Sequence, residues 1–154
     1  MKKLAIAAAA LAAAAATLVL AGAGSASSTG GTIELVGIQQ QFIAPPAPHV
    51  GDRLLFTSAV YNRGAEFGRP AGARVGRATG VCTVTSDDNP PAVQCTFTAH
   101  VPDGQIVAVG EGDPGKHVNR WAIVGGIGAY AGARGTLVVT NVSETKSLVA
   151  VHLS

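Results

Sequence analysis

Charge is scarce in this sequence. Only 13 % of its 154 residues are Asp, Glu, Lys or Arg, and past Lys2-Lys3 the basic ones stand singly. Without a basic stripe the chain offers little to a phosphate backbone, which argues against a nucleic-acid partner. Four histidines, His49, His100, His117 and His152, are far apart, with no paired carboxylate or Cys/His cluster, so no metal site is expected. No Gly-x-Ser-x-Gly occurs, and nothing sets a serine beside a histidine and an acid, so a nucleophilic hydrolase has no support. Beyond the first residues no stretch reads as a helix, and no segment repeats. No cofactor is implied.

The long apolar run is confined to the N-terminus. Lys2 and Lys3 precede the Ala/Leu/Val stretch Leu4–Leu20, followed by Ala21-x-Ala23 and Gly24-x-Ala26. This is the basic, apolar and small-residue order of a secretory signal peptide, with cleavage expected after Ala23 or Ala26. The run is mostly alanine and ends without a second basic flank, which disfavours a retained membrane anchor. Two of the eleven basic residues lie in this segment, leaving nine against nine acidic ones, so the mature chain is formally neutral. Residues 27–154 suffice for a single domain with one core. The reading is therefore a secreted protein, free of the membrane once the signal is removed.

Only two cysteines occur, Cys82 and Cys95, and in an exported chain a nearby pair is expected to be bridged. They flank the polar turn Asp87-Asp88-Asn89-Pro90-Pro91. Eight short strands are expected: Thr32–Phe42, Gly51–Asn62, Arg74–Thr85, Val93–Val101, Gln105–Val109, Val118–Val124, Gly135–Val142 and Thr145–Leu153. Asp103-Gly104 between two of them is a hairpin signal. On the fourth strand Val93, Cys95, Phe97, Ala99 and Val101 share one face, which the cysteine marks as interior. An even number of hairpin-connected strands suggests a closed antiparallel barrel or a sandwich.

The most distinctive stretch is Gly125-Gly126-Ile127-Gly128-Ala129-Tyr130-Ala131-Gly132-Ala133-Arg134-Gly135. Five glycines in eleven residues imply a sharp turn and close backbone packing between two strands. Gly126-x-Gly128-x-x-Ala131 loosely matches a dinucleotide-binding pattern, but that motif opens a helix. Here a β-branched run follows, Thr136, Val138, Val139 and Thr140, which excludes it.

Together with Gly51-Asp52-x-x-x-Phe56, Tyr61, Gly80-Val81-Cys82 and Asp103-Gly104-Gln105-Ile106, the run Ala122–Gly135 resembles the allene oxide cyclase and dirigent barrel superfamily, particularly its short exported bacterial members. The likeness extends from about Gly51 to Leu153. It implies an all-β, eight-stranded antiparallel β-barrel with an apolar pocket, commonly assembled as a homo-oligomer. Plant cyclases of the family use a glutamate and an asparagine on the first strand, with Gln39 and Gln41 as counterparts here. A further asparagine becomes Ser58, and the pocket cysteine matches Cys82. Pocket acids of dirigent proteins fall around Ala59 and Ala129, both apolar, whereas Arg134 is kept. With these polar groups largely replaced, neither reaction is transferred.

Gln39, Gln41 and Ser58 are candidates to line a pocket and hydrogen-bond a bound oxygen, the alternative being a solvated strand end. A neutral amide is no general base, so chemistry would rest on orientation and polarisation. Phe56 and Phe97 are candidate apolar walls. Tyr61 and Tyr130 either present a hydroxyl to a ligand or pack over a barrel end. Arg134 either binds a carboxylate or seals a rim, and Trp121 reads as core or interface. The expected function is a small hydrophobic ligand held in the barrel and steered through a cyclisation or coupling. The alternative is a structural or interaction barrel with a packed interior, in which Phe56, Phe97 and Trp121 close the cavity.

Overall fold

Runs of β-branched and apolar residues, broken by Gly, Pro, Asp and Asn, become strands in the computed structural model, which describes residues 30–154. The expected signal peptide lies outside the described residues. The strands are β1 (Thr32–Ile43), β2 (Arg53–Asn62), β3 (Arg74–Val84), β4 (Val93–Val101), β5 (Gly104–Gly112), β6 (Val118–Gly128), β7 (Gly135–Asn141) and β8 (Lys146–Leu153). The one helical turn among the described residues is the 3-10 segment Glu66–Gly68. No described helix is long and apolar enough to cross a membrane.

Each strand pairs antiparallel with its sequence neighbour, and β8 returns to β1 through Leu35↔Val149 and Val36↔Leu148, closing the barrel. Closure leaves no free edge to recruit another chain. It also gives the period-2 pattern one meaning throughout, because alternate residues enter a common interior. Leu35, Val60, Ile106, Ile123 and Val151 are buried there. Ile123, Val84 and Val151 lose nearly all contact with solvent, each contributing about 1.5–3 kcal/mol by burial.

The barrel end where β1 begins and β8 finishes is covered. The turn after β6 brings buried Tyr130 and Ala133 onto this core, and Phe67 packs on it from the loop after β2. Asn62, 1 % exposed, holds that loop by donating from Nδ2 to the carbonyls of Glu66 and Arg69. At the other end Leu54, Cys82, Val84, Val93 and Cys95 form a second cluster. Cys82 and Cys95 lie directly opposite one another on β3 and β4 and are disulfide-bonded.

Two local expectations shift. In the β4–β5 hairpin Val101 pairs with Gly104, so Pro102 and Asp103 occupy the turn and Asp103 carries the positive φ of 70°. Pro102 suits the first central place because its φ is preset, and Gly104 already belongs to β5. β6 extends past Val124 through the glycines to Gly128, with a bulge that skips Val124 between Ile123↔Ala108 and Gly125↔Val107. Gly126 is required by close approach, since an added Cβ would collide with the Gln105 carbonyl oxygen.

Candidate functional site

The barrel interior is the candidate site, and an aromatic row crosses it. Phe56 on β2 and Phe97 on β4 have ring centroids 5.4 Å apart, and Phe97 meets Trp121 on β6 edge-on at 4.5 Å. Such tilted contacts are favourable beyond the area they bury. Small residues make the row possible. A Cβ on Gly80 would collide with the Phe56 ring, and one on Gly112 would come within 2.9 Å of Trp121 Cζ2.

Around this row the interior is not uniformly sealed. Gln39 pairs with Ser58 on the inward faces of β1 and β2, and both are half-buried, as are Phe56, Phe97, Leu137, Val139 and Val149. Near the end away from Tyr130, the inward positions turn polar. Ser147 Oγ donates to Asn141 Oδ1 at 3.1 Å. Asn119 takes the Asp113 amide at 2.9 Å and returns Nδ2 to the Asp113 carbonyl at 3.0 Å, which ties the β5–β6 loop to this rim. This end thus carries amides and a hydroxyl on β6 to β8, and the buried cluster of Leu54, Cys82, Val84, Val93 and Cys95 on β2 to β4.

Among the described residues, every inward strand position is apolar, glycine, amide, hydroxyl or disulfide. None carries an ionisable side chain. Proton abstraction or donation by an internal acid or base therefore has no group to perform it. Among the described residues no cluster of three or more His, Cys, Asp or Glu forms a metal site.

The candidate residues divide three ways. Gln39, Phe56, Ser58 and Phe97 share the interior. Gln41 does not, although simple alternation puts it on the same face as Gln39. A bulge at Gln40 lets Gln41 pair with Thr57 on the outer face. Tyr61 also faces outward, opposite Val36 and Arg74. Tyr130 and Arg134 lie at the covered end. Tyr130 is buried with its hydroxyl 3.5 Å from the Pro102 carbonyl, and burial, then the nearby Asp103 carboxylate, raises its pKa above the ordinary 10.0. Arg134 donates to the Val124 carbonyl at 2.6 Å and the Ala133 carbonyl at 2.9 Å, so its guanidinium fastens the turn.

Two features were not signalled by residue type. A shallow apolar depression of about 160 Å³ lies on the outer wall, where Gln41, Ile43, Leu55, Thr57, Thr79 and Val81 meet. Inside, Trp121 is 8 % exposed yet its Nε1 has no hydrogen-bond partner. Its inward register with Ile123 was the available clue to placement, whereas the lack of a partner depends on what surrounds it.

Residues 54–154 match the family model for dirigent-like proteins. No curated protein matches the chain. Among solved structures, a pyocyanin demethylase is 26 % identical over 80 % of this chain and 100 % of its own, with a TM-score of 0.69. An exo-specific intermolecular Diels-Alderase is 16 % identical, covering 80 % and 96 %, with a TM-score of 0.65. A pterocarpan synthase dirigent protein is 18 % identical, covering 81 % and 82 %, with a TM-score of 0.56.

Proposed function

This chain belongs to the dirigent-like protein family, and from that premise we propose that it is an exported barrel that holds a small hydrophobic molecule inside and steers its cyclisation or coupling. The observation that carries the reading is an interior without ionisable groups among the described residues, with half-buried Gln39, Phe56, Ser58 and Phe97 along an aromatic row. Such a chamber acts by confinement, holding reacting atoms together and excluding other conformers. Gln39 and Ser58 would orient a bound oxygen, and Phe56 and Phe97 would set the shape of the apolar part. If it is an enzyme, the class is isomerase- or cyclase-like. Similar barrels that include a Diels-Alderase and a dirigent protein support this reading.

Export is supported by the disulfide, which persists in oxidising compartments, and by the signal-like residues 1–26. Assembly into a homo-oligomer is supported by the exposure of Ile43 and Leu55 on the outer wall. The rival reading, a structural barrel without a ligand, draws on the contact of Phe56, Phe97 and Trp121 across the interior.

Native mass spectrometry of protein purified from its own host tests the two. A retained small organic molecule, released on unfolding, is the expected result. Protein free of any adduct, with no saturable uptake of hydrophobic probes, would leave the structural barrel standing instead.

A further inference from the structure

We propose that the outer wall over β2 to β5, towards the covered end, is a binding surface for a linear acidic polysaccharide, a sugar chain carrying repeated carboxylates. This goes beyond the interior ligand and does not depend on it. Of the nine basic residues after the expected signal peptide, five fall between positions 53 and 77: Arg53, Arg63, Arg69, Arg74 and Arg77. They stand singly in the chain, and folding gathers three of them. Arg77 lies on the outer face of β3, opposite Ala59 on β2 and His100 on β4. Counting by twos would turn Arg74 inward, but a bulge that skips Val75 sets it opposite Tyr61, on the face of Arg77. Two strand steps, from Ala59 to Tyr61, thus separate the two arginines by about 7 Å along the wall. Arg69 joins them from the loop after β2, its Nη1 donating to the Arg74 carbonyl at 3.5 Å. Gln105 follows His100 in the same cross-strand row.

All three arginines are exposed, and His100 is half-buried. The ion pairs among the described residues are Arg63–Glu34 and Lys116–Asp113, so no carboxylate neutralises this group. The acids closest to it in the chain are turned to other contacts: Glu66 accepts the Glu34 and Gly64 amides, and Asp103 lies by Tyr130. Like charges gathered on one wall repel one another, and a bridging polyanion relieves that repulsion. Guanidinium groups bind carboxylates through paired hydrogen bonds, and the Gln105 amide suits hydroxyls between them. Half-buried Tyr61, beside Arg74, adds a ring against which a sugar can lie. An extended peptide fits less well, because a closed wall offers its backbone no free strand edge.

The probes are a galacturonic acid decamer and its methyl ester, which keeps the sugars and removes the charge. Isothermal titration calorimetry of the exported protein should show the acid binding, more weakly as sodium chloride is raised. The ester should bind at least about tenfold more weakly than the acid. Arg74→Gln/Arg77→Gln should lose affinity for the acid to a similar extent, whereas Arg53→Gln/Arg120→Gln, which removes the same charge elsewhere on the barrel, should not. No binding of the acid, equal binding of the ester, or equal losses in the two double variants would overturn the proposal. Tighter binding of a phosphodiester oligomer or of anionic phospholipid vesicles would overturn it too, by assigning the wall to a different partner. Should Arg74→Gln/Arg77→Gln fail to fold, the acid and ester comparison in the wild type decides alone.

Discussion

Gly126→Ala isolates the steric demand that the glycine run meets. Gly126 is not among the residues with positive φ, so alanine suffers no left-handed strain there. The obstacle is contact: the new Cβ would collide with the Gln105 carbonyl oxygen and stand 2.8 Å from Tyr130 Cβ and 2.9 Å from the Tyr130 carbonyl oxygen. None of these is the mobile tip of a side chain. Relief requires parting β5 from β6 at the Ile106↔Gly126 pair and lifting Tyr130 from the covered end. Overpacking of this kind costs about 1–3 kcal/mol, and one weakened ladder hydrogen bond adds about 1 kcal/mol. A loss of about 3 kcal/mol in a domain this size lowers the thermal midpoint by about 10 °C. Gly132→Ala is the comparator. It has φ +75° but open space, so it carries only the left-handed penalty of about 1 kcal/mol. Thermal unfolding followed by far-ultraviolet circular dichroism ranks the two. If Gly126→Ala melts no lower than Gly132→Ala, close approach is not what that glycine serves.

The disulfide closes a loop of sequence separation 13, so Cys82→Ala/Cys95→Ala should lose about 3 kcal/mol in the chain-entropy model. Free-thiol titration of the unfolded wild type should find no thiol before reduction and two after, and two beforehand would refute the bridge. The raised pKa of Tyr130 means that the folded protein keeps the phenol proton after the unfolded chain begins to lose it at about pH 10. Its contribution to stability is therefore complete below that pH and is lost as pH rises through the folded value. Tyr130→Phe should flatten the alkaline fall in denaturation midpoint, and an unchanged slope would assign that fall to other groups. Asn62→Ala removes two buried donations to the 63–73 loop, costing about 2 kcal/mol. Trypsin should then cut after Arg63 faster than in wild type, and an unchanged rate would mean that Asn62 does not hold the loop.

Strand existence and facing were legible in the residues because a strand has a period of two, visible over a few positions. Val93, Cys95, Phe97, Ala99 and Val101 declared the inner face of β4, and the Cys82–Cys95 bridge followed from chemistry and short separation. The eight strands were likewise local properties, as was the dirigent-like motif. The limits of the candidate site came from departures from that period. Counting by twos places Gln41 beside Gln39, but the bulge at Gln40 reverses the face, and a bulge is fixed by the partner strand rather than by the glutamines themselves.

The amino-acid sequence alone thus determined which segments extend, which residues share a face and which two cysteines bond, since these depend on neighbours close along the chain. Only the tertiary structure decided that β8 meets β1, that Tyr130 and Arg134 seal one end while Gln39 and Ser58 face the interior, and that Trp121 Nε1 is left without a partner. These depend on contacts between residues distant in sequence, where closure and packing choose among local preferences that are individually compatible with several arrangements.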